Sequence, residues 1–163
     1  LADHYGLSTK GTGDFMRELS PKYGYSDITQ FLVEYVSVHP EVDNKVDEDQ
    51  RIFGKENDNF VLDAHLGFYF VPDSIRICLI CNLEEAARRI LDDSGRTTET
   101  ATNINDSIDS SQKRRETMHK NFMNLYQVDI DDHSNFDLVL DTSSLTSVEV
   151  FERVSAFIDL QRA

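Results

Sequence analysis

Residues 59–70 read N-F-V-L-D-A-H-L-G-F-Y-F. Phe60, Val61 and Leu62 form a short apolar, partly β-branched run. That pattern suits a strand covered on both faces, as strands of a parallel sheet are. Asp63 ends the run. Open α/β sheets bind their ligands beyond the carboxyl ends of their strands, so a carboxylate there is a candidate site residue. Asp is also a good helix cap, and this stretch alone leaves both readings open.

Two further segments share the pattern: I-R-I-C-L-I-C at 75–81 and F-D-L-V-L at 136–140. Residues 7–10 read as a strand or a loop. Residues 1–5 read as the end of a helix stopped by Gly6, with its start upstream of Leu1. A helix is expected over 26–38, begun at Ser26 or Asp27, with Ile28, Phe31, Leu32 and Tyr35 at helical spacing. A second runs from Pro40 to Gln50, Pro40 suiting its first turn. Residues 54–59 then read as a polar turn. Asn82-Leu83-Glu84-Glu85 opens another helix with a cap followed by acids. A helix from Gln112 is expected to turn Met118, Phe122 and Leu125 inward. Thr146 or Ser147 caps the last one, which buries Val150, Val154, Phe157 and Ile158. Strands alternating with helices predict a layered α/β fold, and 163 residues suit one domain over 1–163.

Charge narrows the partners. Thirty acidic against 16 basic residues give a formal charge of −14. A phosphate backbone would repel such a chain, which argues against sequence-independent nucleic-acid binding. Small anions need only a few local cations. The sequence has no apolar run near the length of a membrane span and no visible signal peptide, so a cytoplasmic protein is expected. Cys78 and Cys81 form C-x-x-C without further suitably spaced zinc ligands, and read as reduced core cysteines.

The candidate chemistry is charged. In K-G-T-G-D-F-M-R-E-L (10–19), Asp14 can cap a helix, which puts Arg17 in the first turn. The helix dipole disfavours a cation there unless it faces an anion. Gly11-Thr12-Gly13 lacks the spacing and lysine of a phosphate loop. Asp43 and Asp47 lie four apart on one helical face; paired carboxylates can bind sugars, bases or metal, and can equally be a solvated face. Residues 92–111 are polar and read as a mobile excursion, a linker or a lid, with Arg96 as its only cation. Lys113-Arg114-Arg115 then form the basic start of the helix expected from Gln112, opposing its dipole, either facing an anion or neutralising the acidic excursion.

At this point the chain resembles the cytidylate kinase-like branch of the nucleoside monophosphate kinases. The resemblance rests on T-G-D-F-M-R-E-L (12–19), H-P-E-V-D-N-K-V-D-E-D-Q (39–50), F-V-L-D-A-H-L-G-F-Y-F-V-P-D-S-I (60–75), A-A-R-R-I (86–90) and Y-Q-V-D-I-D-D-H-S-N-F-D-L-V-L-D-T-S (126–143). It implies a three-layer fold, a parallel sheet with helices on both faces, an acceptor-binding arm at about 14–56 and a lid at about 92–113. It implies transfer of a phosphoryl group from ATP, with Mg²⁺, to CMP or dCMP. Arg17 would then bind the acceptor phosphate, and Asp14, Asp43 and Asp47 would shape the acceptor pocket. Asp63 would stand near Mg²⁺, through water, and near the acceptor phosphate. Arg96 and Arg114 would face the transferring group, and Arg114, Asp141, Thr142 and Ser143 the ATP. Three departures stand out. The family's first strand and G-x-x-x-x-G-K-[ST] loop do not occur in this sequence and are expected upstream. His65 stands where the family usually has Arg, and Asn121 where a second helix arginine is expected. A catalytically degenerate module that binds nucleotide or protein without turnover is the alternative.

Overall fold

The computed structural model describes residues 1–39, 41–92 and 103–162. The chain divides into two compact units, Leu1–Ser74 and Ile75–Ala163.

In the first unit, α1 (Ala2–Tyr5) ends at Gly6, whose φ of 65° lies in the left-handed region that glycine adopts without penalty. Residues 8–11 settle as a strand, β1 (Ser8–Gly11), which pairs in parallel with β2 (Phe60–Asp63). Their register sets Ser8 beside Phe60 and Gly11 beside Asp63. α2 (Thr12–Leu19) buries Phe15 and Leu19. These join Phe31, Val42 and Val46 in the unit's core.

The helix expected over 26–38 is not regular. Asp27 caps it, accepting from the Gln30 amide at 2.9 Å. After α3 (Ile28–Gln30) the backbone widens into a π-turn over Phe31–Tyr35 and tightens to a 3₁₀ turn over Val36–Val38. Val33, Val36 and Val38 are β-branched and weak helix formers. Ring packing competes with the α-helical register: Phe31 stacks on Tyr35 at 5.8 Å and Tyr35 on His39 at 4.0 Å. Pro40 lies outside the described residues.

α4 (Glu41–Glu56) runs past Gln50 and takes in Gly54, where a turn was expected. Packing explains the glycine. A Cβ on Gly54 would lie 2.5 Å from Val71 Cγ2, so only a hydrogen fits where the helix meets the chain after α5 (Gly67–Phe70).

In the second unit, β3 (Ile77–Ile80) pairs in parallel with β4 (Leu138–Asp141), Ile77 beside Leu138 and Ile80 beside Asp141. The sheet therefore occurs as two parallel pairs in a mixed α/β chain. α6 (Leu83–Asp92) opens at Asn82, whose Oδ1 accepts from the Glu85 amide at 2.8 Å. It packs against α7 (Ile104–Tyr126). α7 starts eight residues earlier than expected. Asn103 caps it, accepting from the Asp106 amide at 3.0 Å, so residues 104–111 are helical and not an irregular excursion. Residues 93–102 of the expected lid, with Arg96, lie outside the described residues. Leu125 is 56% exposed in the last turn of α7, not inward. α8 (Ser147–Arg162) is capped by Thr146: Glu149 donates its amide to Thr146 Oγ1 and accepts the Thr146 amide at 2.8 Å. Cys78 and Cys81 are free and half-buried, where core positions were expected. Burial raises the Cys78 thiol. Among the described residues no helix is long and apolar enough to cross a membrane.

Candidate functional site

The first unit gathers three of the expected site residues, Asp14, Arg17 and Asp63, around the carboxyl ends of β1 and β2. Gly11 and Asp63 stand side by side as the last residues of the two strands. Asp14 Oδ2 accepts the Gly11 amide at 2.8 Å. A Cβ on Gly11 would lie 3.5 Å from Asp14 Oδ2 and 3.9 Å from Asp63 Cβ. Two carboxylates thus flank one glycine at the mouth of a parallel pair, the place where such sheets bind ligands.

Arg17 is not in the first turn of its helix. α2 begins at Thr12, with Gly11 as its cap, which moves Asp14 to the third position and Arg17 to the last turn. The dipole favours a cation in a last turn, so the backbone position demands no anion. The side chain restores part of the expectation by another route. Helical side chains lean toward the N-terminus, and the Arg17 guanidinium folds back over Gly13, 3.5 Å from where a Cβ would sit. There Nη1 donates to Asp14 Oδ1 at 2.7 Å. The charge therefore sits near the start of α2 although its Cα does not.

On α4, Asp43 and Asp47 share a face, as their spacing predicts. Surrounding protein strips water from the Asp43 carboxyl and raises its pKa. Asp47 Oδ1 accepts from Gln50 Nε2 at 3.3 Å. His65 is exposed in the turn after β2.

In the second unit, Asp141, Thr142 and Ser143 close the end of β4. Asp141 Oδ1 accepts from the Ser143 amide at 2.9 Å and from its hydroxyl at 2.5 Å. Those bonds hold the Asp141 carboxyl below the usual range. Thr142 is buried, and its hydroxyl donates to the Ile80 carbonyl at 3.0 Å. Arg114 is exposed on α7. It lies mid-helix, as do Lys113 and Arg115, so the argument from an opposing dipole does not apply to them.

Three further side chains, Lys10, Arg89 and Gln50, hold structural positions that no sequence motif marks. Lys10 pairs with Glu18 and stands 4.9 Å from the centre of the Phe15 ring, the stem running through the core edge. Arg89 donates to the Thr142 carbonyl at 2.8 Å and the Leu145 carbonyl at 3.2 Å, tying α6 to the end of β4. Gln50 is 2% exposed. It had a readable signal, since it follows Val42 and Val46 at four-residue steps. The turn after α7 brings Asp129 and Asp131 near His119, their ligand atoms all within 4.8 Å of one another, while Arg115 pairs with Asp131.

The model of the cytidylate kinase-like family matches residues 10–144. The chain is 31% identical over 160 residues to the cytidylate kinase of Pyrococcus horikoshii, covering 98% of this chain and 79% of that protein. It is 32% identical over 160 residues to that of Pyrococcus abyssi, covering 98% and 83%. It is also 32% identical over 146 residues to the S-adenosylmethionine-dependent nucleotide dehydratase of Lacinutrix mariniflava. That match covers 87% of this chain but 28% of the relative, so the chain corresponds to little more than a quarter of that protein. Among solved structures, an uncharacterized protein from Eubacterium ventriosum superposes with a TM-score of 0.68 at 9% identity, over 97% of this chain and 87% of that one. At that identity the likeness concerns the fold alone.

Proposed function

The chain belongs to the cytidylate kinase-like family, and on that premise we propose that it transfers a phosphoryl group from ATP to CMP or dCMP in the cytoplasm. The reading needs a strand and a phosphate loop supplied by residues outside this sequence. One observation carries it: Asp63, Asp14 and Arg17 converge on the carboxyl ends of two parallel strands.

In this reading the acceptor phosphate lies against Arg17. A guanidinium has five N–H donors, and Asp14 Oδ1 takes one of them. A bound phosphate draws on the others, and Asp14 keeps the fork from swinging away. His65 supplies a weaker contact than an arginine, being mostly neutral at pH 7. Arg114, with Arg96 on the lid, balances the charge spread over the equatorial oxygens of the transferring group. An acceptor oxygen forms the new bond to the γ-phosphorus as the bond to ADP breaks. Asp141, Thr142 and Ser143 line the nucleotide end of ATP. The exposed Asp63 carboxylate suits a hard cation held through water, so it would position Mg²⁺, which when bound neutralises the phosphates.

A second reading, a module that binds nucleotide or a protein without turnover, draws on the match to a small part of a longer relative and on His65 and Asn121. The deciding assay uses the complete gene product with ATP, Mg²⁺ and CMP. Formation of CDP and ADP in equal amounts supports the kinase. Calorimetric binding of CMP with no turnover favours the second reading.

A further inference from the structure

Two elements of the second unit bring an imidazole and two carboxylates together. His119 stands on the last third of α7, and Asp129 and Asp131 lie in the turn between α7 and the 3₁₀ segment His133–Asn135. His119 Nε2 is 3.0 Å from Asp129 Oδ1. One ligand atom from each of the three residues falls within 4.8 Å of the other two. Around a zinc ion with bonds of about 2.0–2.2 Å, ligand atoms stand roughly 3–3.5 Å apart. Small side-chain rotations therefore bring all three to one centre.

The turn is shaped largely by other groups. Asn135 Nδ2 donates to the Asp132 carbonyl at 3.1 Å and to the Asp129 carbonyl at 3.4 Å. Asp132 Oδ1 accepts the Ser134 amide at 2.9 Å. Asp129 Oδ1 also accepts the Asp131 amide at 2.8 Å, which a carboxylate can do while it serves a further partner. The competing cation is Arg115, one turn before His119, which pairs with Asp131. Its side chain is 58% exposed, and exposed pairs of this kind contribute little, so a divalent cation can displace it.

The donor set selects the ion. Imidazole suits zinc and its neighbours, whereas Mg²⁺ prefers oxygen ligands throughout. A second observation points the same way. The half-buried Cys78 thiol on β3 feels the charges of both Arg115 and Asp131, so a soft donor also stands near the cluster.

We propose that His119 Nε2 and one carboxylate oxygen each of Asp129 and Asp131 bind a zinc-class divalent cation, fastening the turn to α7. Three protein ligands leave a fourth position to water. The site does not depend on the kinase reading, because no nucleotide takes part in it.

The test is calorimetric titration of the complete gene product with Zn²⁺, after chelator treatment and in nucleotide-free buffer, beside thermal melts with Zn²⁺ or Mg²⁺. The wild type is expected to bind Zn²⁺ and to melt higher with it, and to respond far less to Mg²⁺ at the same concentration. His119→Gln and Asp129→Asn are each expected to weaken Zn²⁺ binding about tenfold or more, as each removes one of three ligands. Arg115→Gln removes the competitor and is expected to tighten binding roughly threefold. Every variant keeps Cys78 and Cys81, so zinc held by the thiols alone would leave these affinities unchanged. Unchanged affinities, no Zn²⁺ binding, or an equal response to Mg²⁺ overturn the proposal. If metal-free melts show that His119→Gln or Asp129→Asn does not fold, the exposed Arg115→Gln decides: tighter binding supports the site, and equal or weaker binding overturns it.

Discussion

Arg17 Nη1 donates to Asp14 Oδ1 at 2.7 Å, while the other oxygen of that carboxylate holds the Gly11 amide at 2.8 Å. One carboxylate thus starts a helix and aims a guanidinium. Gly11 is also the residue beside Asp63 at the strand ends, so the same contact ties the charged pair to the sheet. The two functions of Asp14 can be separated by mutation at either end.

Arg17→Ala is expected to raise the KM for the acceptor and lower kcat, since in the proposed function the lost cation faces the acceptor phosphate. Its side chain is 63% exposed, so the melting temperature should barely move. Asp14→Ala removes the Gly11 contact as well and should cost about 1 kcal/mol of stability, the usual effect of losing such a helix-start bond. Kinetics and melts of both variants check this. An Arg17→Ala enzyme with unchanged acceptor KM would remove Arg17 from the site.

Gly54→Ala tests the contact between α4 and the chain after α5. Alanine is the better helix former, and in an exposed helix it would stabilise by about 1 kcal/mol. Here its Cβ would lie 2.5 Å from Val71 Cγ2, and overpacking of that kind costs about 1–3 kcal/mol. The net expectation is a lower melting temperature. Val71→Ala in the same chain should recover part of the loss, which a double-mutant cycle by denaturant titration measures. A stabilised Gly54→Ala variant would show that the helix can move aside.

The strands were the most legible part of the sequence, because a short apolar run such as 60–62 or 138–140, half-buried in the structure, carries its signal locally. The helix boundaries were less so. Gly54 looks like a turn residue until Val71 is placed beside it, and Val71 is 17 positions away. Residues 104–111 are too polar to announce a helix, but Asn103 starts one and the packing of α6 on α7 sustains it. At the site, Asp14, Arg17 and Asp63 could be chosen by residue type. That Arg17 reaches the helix start by folding back could not, because it depends on which residue begins α2. Arg89 was hidden for a similar reason: its partners lie over 50 positions downstream.

Acid should loosen α6 through Glu85. Hydrogen bonds from Arg88 and Arg89 hold its carboxyl down to about 2, from an ordinary value of 4.5. Between those values the unfolded chain takes up a proton that the folded chain refuses, so stability falls as pH falls through this window. Above 4.5 the contribution is fully present. The difference in melting temperature between wild type and Glu85→Gln should therefore stay constant from pH 7 to about 5 and shrink toward pH 2. A difference that grows on acidification contradicts the ion-pair assignment.

Arg89 presents a sharper case, because it joins helix to strand end. It donates to the Thr142 and Leu145 carbonyls and takes its own orientation from Glu85, at 2.7 Å. Arg89→Met keeps much of the stem but leaves two carbonyls without that donor, a loss of about 1–3 kcal/mol. Arg89→Lys keeps the charge but not the planar fork, and one ammonium cannot reproduce the spread of bonds to Glu85 and both carbonyls. Lysine should therefore rescue the melting temperature only in part. Because Thr142 lies between Asp141 and Ser143, the same variants should raise the KM for ATP in the complete enzyme while sparing the KM for CMP. Unfolding of the second unit as a whole would raise both and lower the active fraction. A split between the two substrates thus separates a local effect at the end of β4 from a general loss of structure. Equal effects on ATP and CMP would place Asp141, Thr142 and Ser143 away from the donor nucleotide.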